Sequence, residues 1–334
     1  MSQRAEAVGA WVRELRASDP SLAAASRLSP EGLRAVWSVA LDELGPDAIG
    51  DALSLPGEPY ATATVVVART VLTAPLEWCA VLLARGTEVT LKVPREAPEM
   101  GHFLARTAAG HGLPLRVVTA HEAVGGELVV VMGRDETVEA VRGRVPAGTR
   151  VLGFGHRYSA AWAPGEADLR EAAVQLALHD TRGCRSPVAL VSDHPHAVDI
   201  LADAMAEAEA RWPRGTCSGH ELAKIRARLA LGQVLGRVKT GEGWGVMALP
   251  SARFVPEALP RVAVLHPGGP DTLAACIEPT ARFLSVLGVP DPAAPPAVLQ
   301  PYRHHLVALE RMQRPPLRRH HDGVDWLAET LRPA

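Results

Sequence analysis

Residues 61–131 read ATATVVVARTVLTAPLEWCAVLLARGTEVTLKVPREAPEMGHFLARTAAGHGLPLRVVTAHEAVGGELVVV, and their alternation decides the fold class. Thr64-Val65-Val66-Val67-Ala68 is a short β-branched run, the type of segment that fits a pleated surface. A helix-like stretch follows from Leu76 to Ala84 and stops at Gly86. Glu88 to Val93 is a second strand, Pro98 to Gly110 a second helix, Leu115 to Val118 a third strand and Glu127 to Val131 a fourth. Strands alternating with helices over short connections predict βαβ units and a parallel, Rossmann-like sheet.

The pattern changes on either side. Residues 3–53 read as helices. Ser29-Pro30-Glu31 opens one of them with an N-cap serine, a first-turn proline and a first-turn acid. Leu33, Val36, Trp37, Ala40, Leu41 and Leu44 then recur at helical spacing until Gly45-Pro46. Leu55-Pro56-Gly57-Glu58-Pro59 reads as a linker. Residues 151–191 give strand, helix, loop and strand, with Leu169, Ala172, Ala173, Leu176 and Ala177 on one helical face. Another helix is expected from about Ala197 to Arg211, and Pro290 to Pro296 reads as a linker. The expected organisation is an N-terminal helical segment (1–60), a dinucleotide-binding domain (61–152), an α/β catalytic domain (153–290) and a C-terminal segment packing back on the body (291–334).

Composition narrows the function. The 334 residues carry a formal charge of −2, with no basic excess to favour nucleic acid or an anionic membrane. No apolar run approaches the roughly 18–20 residues of a spanning helix. The opening MSQRAEAVGAW lacks a signal-peptide core. Cys79, Cys184, Cys217 and Cys276 show no CxxC spacing, which suits reduced thiols in a cytoplasm. The sequence has no GxGxxG after its first strand, no GxxxxGK[ST] loop, no HExxH, no GxSxG and no zinc-type Cys/His array. His304, His305, His320 and His321 form adjacent pairs that point apart, so no metal site is expected. Arg314, Arg318 and Arg319 suit an anionic ligand, such as coenzyme A phosphates, or solvent.

One segment stands out: His179-Asp180-Thr181-Arg182-Gly183-Cys184-Arg185-Ser186-Pro187. A cysteine between a helix end and a strand, flanked by two arginines, has a lowered cost of ionisation. Gly183 leaves room for a ligand beside the thiol. A lone cysteine is more often a small buried residue, and Cys79, Cys217 and Cys276 keep that reading.

For Cys184 a family likeness reverses it. The segment resembles the Gln-Gly-Cys-Leu-Ser-Pro-type loop of the LuxC-like acyl-CoA reductases of the aldehyde dehydrogenase superfamily. Other anchors follow in order. Leu28 to Leu33 resembles the family's N-terminal helix start. Thr73-Ala74-Pro75-Leu76 and Leu91 to Pro98 are similar to the superfamily's Asn-Phe-Pro and Lys-Pro-Ser segments. Gly133-Arg134-Asp135-Glu136-Thr137 stands where the family has its glycine turn near the nicotinamide. Gly155-His156-Arg157-Tyr158-Ser159 precedes the cysteine helix, and Met312 to Leu317 with His321-Asp322-Gly323 resembles the C-terminal signature.

The resemblance implies an α/β, aldehyde dehydrogenase-like fold. It implies Cys184 as the nucleophile that takes an acyl group from acyl-CoA or an acyl carrier, and NADPH (or NADH) as hydride donor. Lys92, Pro94, Arg95, Gly133 and Arg134 become expected cofactor contacts, with Arg95 suited to a 2′-phosphate. No acid stands in Phe154 to Tyr158 where aldehyde-oxidising relatives carry one. His156 is the expected proton donor instead, since imidazole suits proton transfer near neutrality. Thr73 stands where many relatives have an asparagine that donates to the reacting oxygen. It is a poorer donor, and Arg134 replaces a small residue. The alternatives are an oxidative aldehyde dehydrogenase, or a non-catalytic homologue that binds an acyl-processing partner, and a homo-oligomer is compatible with either.

Overall fold

The computed structural model of the chain describes residues 3–20, 26–67, 71–120, 124–250 and 255–333. These form two compact units. The first comprises residues 1–26, 36–156 and 315–334, and the second residues 27–35 and 157–314.

Three helices begin the chain: α1 (Gln3–Ala17), α2 (Pro30–Asp42) and α3 (Pro46–Leu53). Ser29 starts α2 as its sequence predicts, its Oγ accepting from Gly32 N at 3.0 Å. Gly45-Pro46 does more than end that helix, because Pro46 takes the first position of α3. The first sheet then forms from β1 (Thr62–Val66), β2 (Glu88–Lys92), β3 (Leu115–Val118), β4 (Leu128–Met132) and β5 (Arg150–Phe154). Ala68, expected in the first strand, lies outside the described residues. Between strands run α4 (Ala74–Arg85), α5 (Glu99–Gly110) and α6 (Asp135–Arg142). The order is β3-β2-β1-β4-β5 and every pairing is parallel.

Burial explains why these segments read as continuous apolar runs. β1 and β4 are covered on both faces, so they lack the alternation of a half-exposed strand. Pro75, Leu76 and every residue from Trp78 to Ala84 in α4 are buried, and α4 packs against α1 and α3 as well as β1 and β2. Trp11 Nε1 donates to Thr107 Oγ1 at 2.9 Å and joins α1 to α5, while Trp37 Nε1 donates to Leu15 O at 3.0 Å. Truncating such a buried tryptophan to alanine costs roughly 3–5 kcal/mol. Residues 315–333 fold onto the same unit: Arg319 Nη2 donates to both Glu77 carboxylate oxygens at 2.6 and 2.8 Å, and Trp326 Nε1 donates to Leu317 O.

The second unit carries β6 (Tyr158–Trp162), α7 (Glu166–Ala177), β7 (Pro187–Ser192), α8 (Ala197–Arg211), α9 (Gly219–Leu235), β8 (Arg237–Thr240), β9 (Gly245–Ala248), β10 (Val262–Pro267), α10 (Pro270–Ile277), β11 (Leu284–Val289) and β12 (Leu306–Ala308). Its sheet runs β12-β11-β6-β7-β10-β9-β8, parallel except for the β8–β9 hairpin. The strand expected near residue 151 is two strands, β5 completing the first sheet and β6 entering the second.

Candidate active site

The expected site residues fall on one sheet edge in each unit. In the first, the strand order reverses direction between β1 and β4, and the crevice beyond the carboxyl ends of such strands is where open α/β sheets bind ligands. Every expected cofactor contact lies on that edge. Lys92 closes β2, in register with Val66 of β1 and Val118 of β3. It is only 7% exposed, and burial holds its pKa below the usual lysine range. Glu96 opposes that shift and Arg95 adds to it. An ammonium kept partly dehydrated at a ligand crevice gains most from an oxygen partner that a ligand brings.

Pro94 is half-buried and Arg95 is exposed. Gly133 follows β4 and donates its N–H to Phe154 O at 3.1 Å, and the exposed Arg134 is the N-cap of α6. Thr73 is the buried N-cap residue of α4, and its side chain makes no capping hydrogen bond there.

His156 ends the first unit. It is exposed, and its backbone N–H donates to Asp135 Oδ1 at 2.8 Å. A Cβ at the adjoining Gly155 would meet the Asp135 carboxylate, so a side chain there would have to displace the oxygen that accepts from His156 N. Asp135 thus fixes the backbone that presents His156, a role the sequence reading missed.

In the second unit, Cys184 stands three residues before β7, on the amino-end edge of its parallel sheet. It is half-buried and outside any disulfide. Its carbonyl accepts from Ser159 Oγ at 2.7 Å, and Ser159 Oγ in turn accepts from Val286 N at 3.2 Å, so β6 and β11 both hold the loop. Ser186 N donates to Gly183 O at 3.0 Å and closes a turn around the cysteine. Ser186 Oγ accepts from Gln313 Nε2 at 2.6 Å, Gln313 N donates to Gln175 Oε1 at 2.8 Å, and Arg185 Nε donates to Met312 O at 2.6 Å. The Met312-Gln313 segment, which the sequence offers only as a family likeness, is therefore a clamp on the Cys184 loop.

Upstream of the cysteine the backbone is strained. His179, Asp180 and Thr181 follow α7 with φ of 60°, 51° and 57°. Left-handed geometry costs a non-glycine residue roughly 1–2 kcal/mol. Asp180 is 1% exposed and ion-paired with Arg261, itself 1% exposed, at 2.6 Å.

Arg182 aims its guanidinium at Asp180 (3.3 Å), Glu221 (3.3 Å) and Thr216 O (2.9 Å), so two carboxylates share its charge. Gly183 is not demanded by packing, since an added Cβ would meet neighbours no nearer than 3.7 Å. Nothing in the sequence marks Arg261; its partner is 81 residues away.

The other thiols differ. Burial pushes Cys79 up to about 12, which keeps it protonated, and Cys276 is buried at 1% exposure. Cys217 packs beside Ile225, Leu259 and Val262. Among the described residues no group of three or more His, Cys, Asp or Glu can hold a metal, and no helix is long and apolar enough to cross a membrane.

The succession of two α/β units along the chain has known counterparts. The chain is similar over 86% of its length to the indole-3-acetaldehyde dehydrogenase AldA of P. syringae, solved with NAD+ and IAA, at 15% identity and a TM-score of 0.67, covering 72% of that chain. It is similar over 86% to an NAD-dependent aldehyde dehydrogenase of Sinorhizobium meliloti, at 16% identity and a TM-score of 0.66, covering 70% of that chain. Proline utilization A matches over the same share at 14% identity and a TM-score of 0.65, and there the chain spans 36% of the longer protein. No curated protein matches the sequence.

The fold is that of the aldehyde dehydrogenase superfamily of oxidoreductases. Within it, residues 122–327 match the family described as Acyl-CoA reductase (LuxC), and the chain belongs to that family.

Proposed function

We propose that the protein reduces an acyl thioester to an aldehyde in the cytoplasm, with Cys184 as nucleophile and NADPH as reductant. The observation that carries the reading is the held Cys184 loop, tied by Ser159, Gln313 and Met312, in a chain of this family. A thiol on a fixed loop is the requirement for covalent acyl transfer. The Cys184 thiolate attacks the thioester carbonyl carbon, the bond from that carbon to the carrier sulfur breaks so that the acyl group is left on Cys184 Sγ, and the departing thiolate of coenzyme A or of a carrier takes up a proton.

The carboxyl-end edge of the first sheet fits a dinucleotide. Lys92 offers a buried cation for a ribose or phosphate oxygen at the end of β2, and Gly133 leaves the backbone bare at the end of β4. Arg95 and Arg134 are exposed cations suited to a 2′-phosphate, which favours NADPH over NADH. Bound there, the nicotinamide supplies hydride. Thr73 offers a hydroxyl, and His156 the proton that neutralises the oxygen of the thiohemiacetal on Cys184. Collapse of that adduct returns the thiol and frees the aldehyde. No hydrolytic water is needed, in keeping with the absence of an acid between Phe154 and Tyr158.

The test is intact mass after incubation with butyryl-, octanoyl- and palmitoyl-CoA in the absence of reductant. A mass gain of one acyl group, mapped to the Cys184 peptide and absent from Cys184→Ala, is expected. Undiminished acyl uptake or aldehyde production by folded Cys184→Ala overturns the reading.

A further inference from the structure

The turn that leads to Cys184 is built against backbone preference. His179, Asp180 and Thr181 are three consecutive left-handed residues without a glycine among them. Thr181 is β-branched, the side-chain type for which this region is least favourable. Such a run persists only where its surroundings over-determine it.

Asp180 is the centre of those surroundings. Its Oδ1 accepts from Arg261 Nε at 2.6 Å, and its Oδ2 accepts from Gly215 N at 2.9 Å and Arg182 Nη1 at 3.3 Å. Arg261 reaches further, donating to Glu209 Oε2 at 2.8 Å and to the Ala177 carbonyl at 3.3 Å. Thr181 Oγ1 donates to Leu176 O at 3.0 Å. One buried guanidinium thus ties the last turn of α7, the left-handed turn and α8 together. Arg261 itself sits at φ 52°, with its carbonyl accepting from Gly245 N at the start of β9.

Stability alone does not account for this arrangement. Replacing a buried ion pair by apolar groups of the same volume is often neutral or stabilising, so such pairs are weak evidence for a stability role. Position gives the other reading. Only Arg182 and Gly183 separate the left-handed turn from Cys184, and the Arg182 N–H is held by His179 O at 2.9 Å. The downstream side of the cysteine is already clamped by Ser186 and Gln313. The upstream side is fixed by Asp180 and its cation.

We infer that Arg261 is a positioning residue for Cys184, acting through Asp180 to set where the thiol stands, an inference that rests on Cys184 being the nucleophile. Arg261 does not touch the acyl group. Its removal lets residues 179–181 relax toward right-handed geometry and displaces the start of the nucleophile loop.

The test compares full-length wild type, Arg261→Lys, Arg261→Gln, Asp180→Asn and Cys184→Ala. Three quantities are read: thermal midpoint, the rate of Cys184 alkylation by iodoacetamide across pH, and kcat and KM for the acyl-CoA of the butyryl, octanoyl and palmitoyl set that wild type accepts. Lysine keeps the charge but cannot span Asp180, Glu209 and the Ala177 carbonyl at once. Arg261→Lys is expected to melt within a few degrees of wild type. Its kcat falls on the order of 100-fold with KM nearly unchanged, the size of effect a misplacement of about 1 Å produces. Its alkylation profile shifts from that of wild type.

Folded Arg261→Lys or Arg261→Gln protein with wild-type alkylation and kcat overturns the inference. So does a loss that appears only in KM or only as a lower thermal midpoint. If Arg261→Gln does not fold, Arg261→Lys and Asp180→Asn decide the matter. Alkylation needs no acyl substrate, so the two claims separate. Acyl uptake by Cys184→Ala removes the nucleophile reading even where the turn variants alter alkylation.

Discussion

Gln313 Nε2 donates to Ser186 Oγ at 2.6 Å, two residues beyond the thiol-bearing Cys184 and 127 residues along the chain from its partner. The same amide reaches Gln175 O at 3.4 Å, and both glutamines are buried. Gln313→Leu keeps the volume and removes these donations, leaving a buried hydroxyl and a buried carbonyl short of a partner. A loss of about 1–3 kcal/mol in unfolding free energy is expected, together with slower acylation of Cys184. Denaturant titration and acyl uptake measure the two. A variant with unchanged stability and unchanged uptake shows that the clamp is dispensable.

A substitution at Lys92 tests the proposed cofactor edge separately from acyl binding. Lys92→Met preserves the buried stem and removes the charge. The apparent KM for NADPH is expected to rise about tenfold or more, since a charge-assisted hydrogen bond is worth about 1.5–3 kcal/mol. The KM for the acyl donor should change little. Equal weakening of both, or of neither, places Lys92 outside the cofactor site.

His179 gives the fold an acid-sensitive point. Burial lowers its pKa to about 4 from the ordinary 6.5. Below the ordinary value the unfolded chain takes up a proton that the folded chain refuses until about pH 4. Stability therefore falls as pH drops through that window, by roughly 1.4 kcal/mol per pH unit from this group. Asparagine tolerates left-handed geometry and does not titrate. His179→Asn should flatten the decline of the thermal midpoint between pH 6.5 and pH 4, and an identical acid slope in variant and wild type contradicts the assignment.

His156→Gln tests the proton donor. Glutamine retains hydrogen bonding but cannot deliver a proton, and general acid assistance is typically worth about 100- to 10,000-fold. Acylation of Cys184 should persist while NADPH consumption by preloaded acyl-enzyme slows in single-turnover experiments. Reduction at the wild-type rate makes His156 structural. Failure to acylate at all points instead to a base that ionises Cys184.

Much of the fold is legible in the sequence for a physical reason. Both faces of β1, β2 and β4 are buried beneath helices, so their β-branched runs announce themselves, and Gly86 ends α4 in the left-handed conformation expected of a helix-capping glycine. α9 is the clearest omission. Its start is written as a capping box, with Glu221 N donating to Ser218 Oγ at 3.2 Å and Ser218 N to Glu221 Oε2 at 2.7 Å. The apolar positions Leu231, Val234 and Leu235 face outward, however, so the helix shows no buried stripe to read.

At the site, Cys184 stands out because a thiol beside Gly183 and between two arginines is chemically unusual, while Lys92 and the 312–317 segment are marked by the family likeness. Asp135, Gln175, Asp180 and Arg261 do not. Their roles arise from pairings 21 to 138 residues apart, which no local pattern encodes.

The strand order of the second sheet also governs how the chain emerges from the ribosome. β6 lies between β7 and β11, yet about 120 residues separate β6 from β11 in the chain. At a synthesis rate of about 5–20 residues per second, one edge of β6 waits on the order of ten seconds for its neighbour. Ala160 and Ala161, fully buried in the finished sheet, stand open during that interval. An unpaired strand of this kind is a template for pairing with another nascent chain. Aggregation during expression should therefore depend on translation speed between residues 163 and 283, whatever the stability of the completed protein.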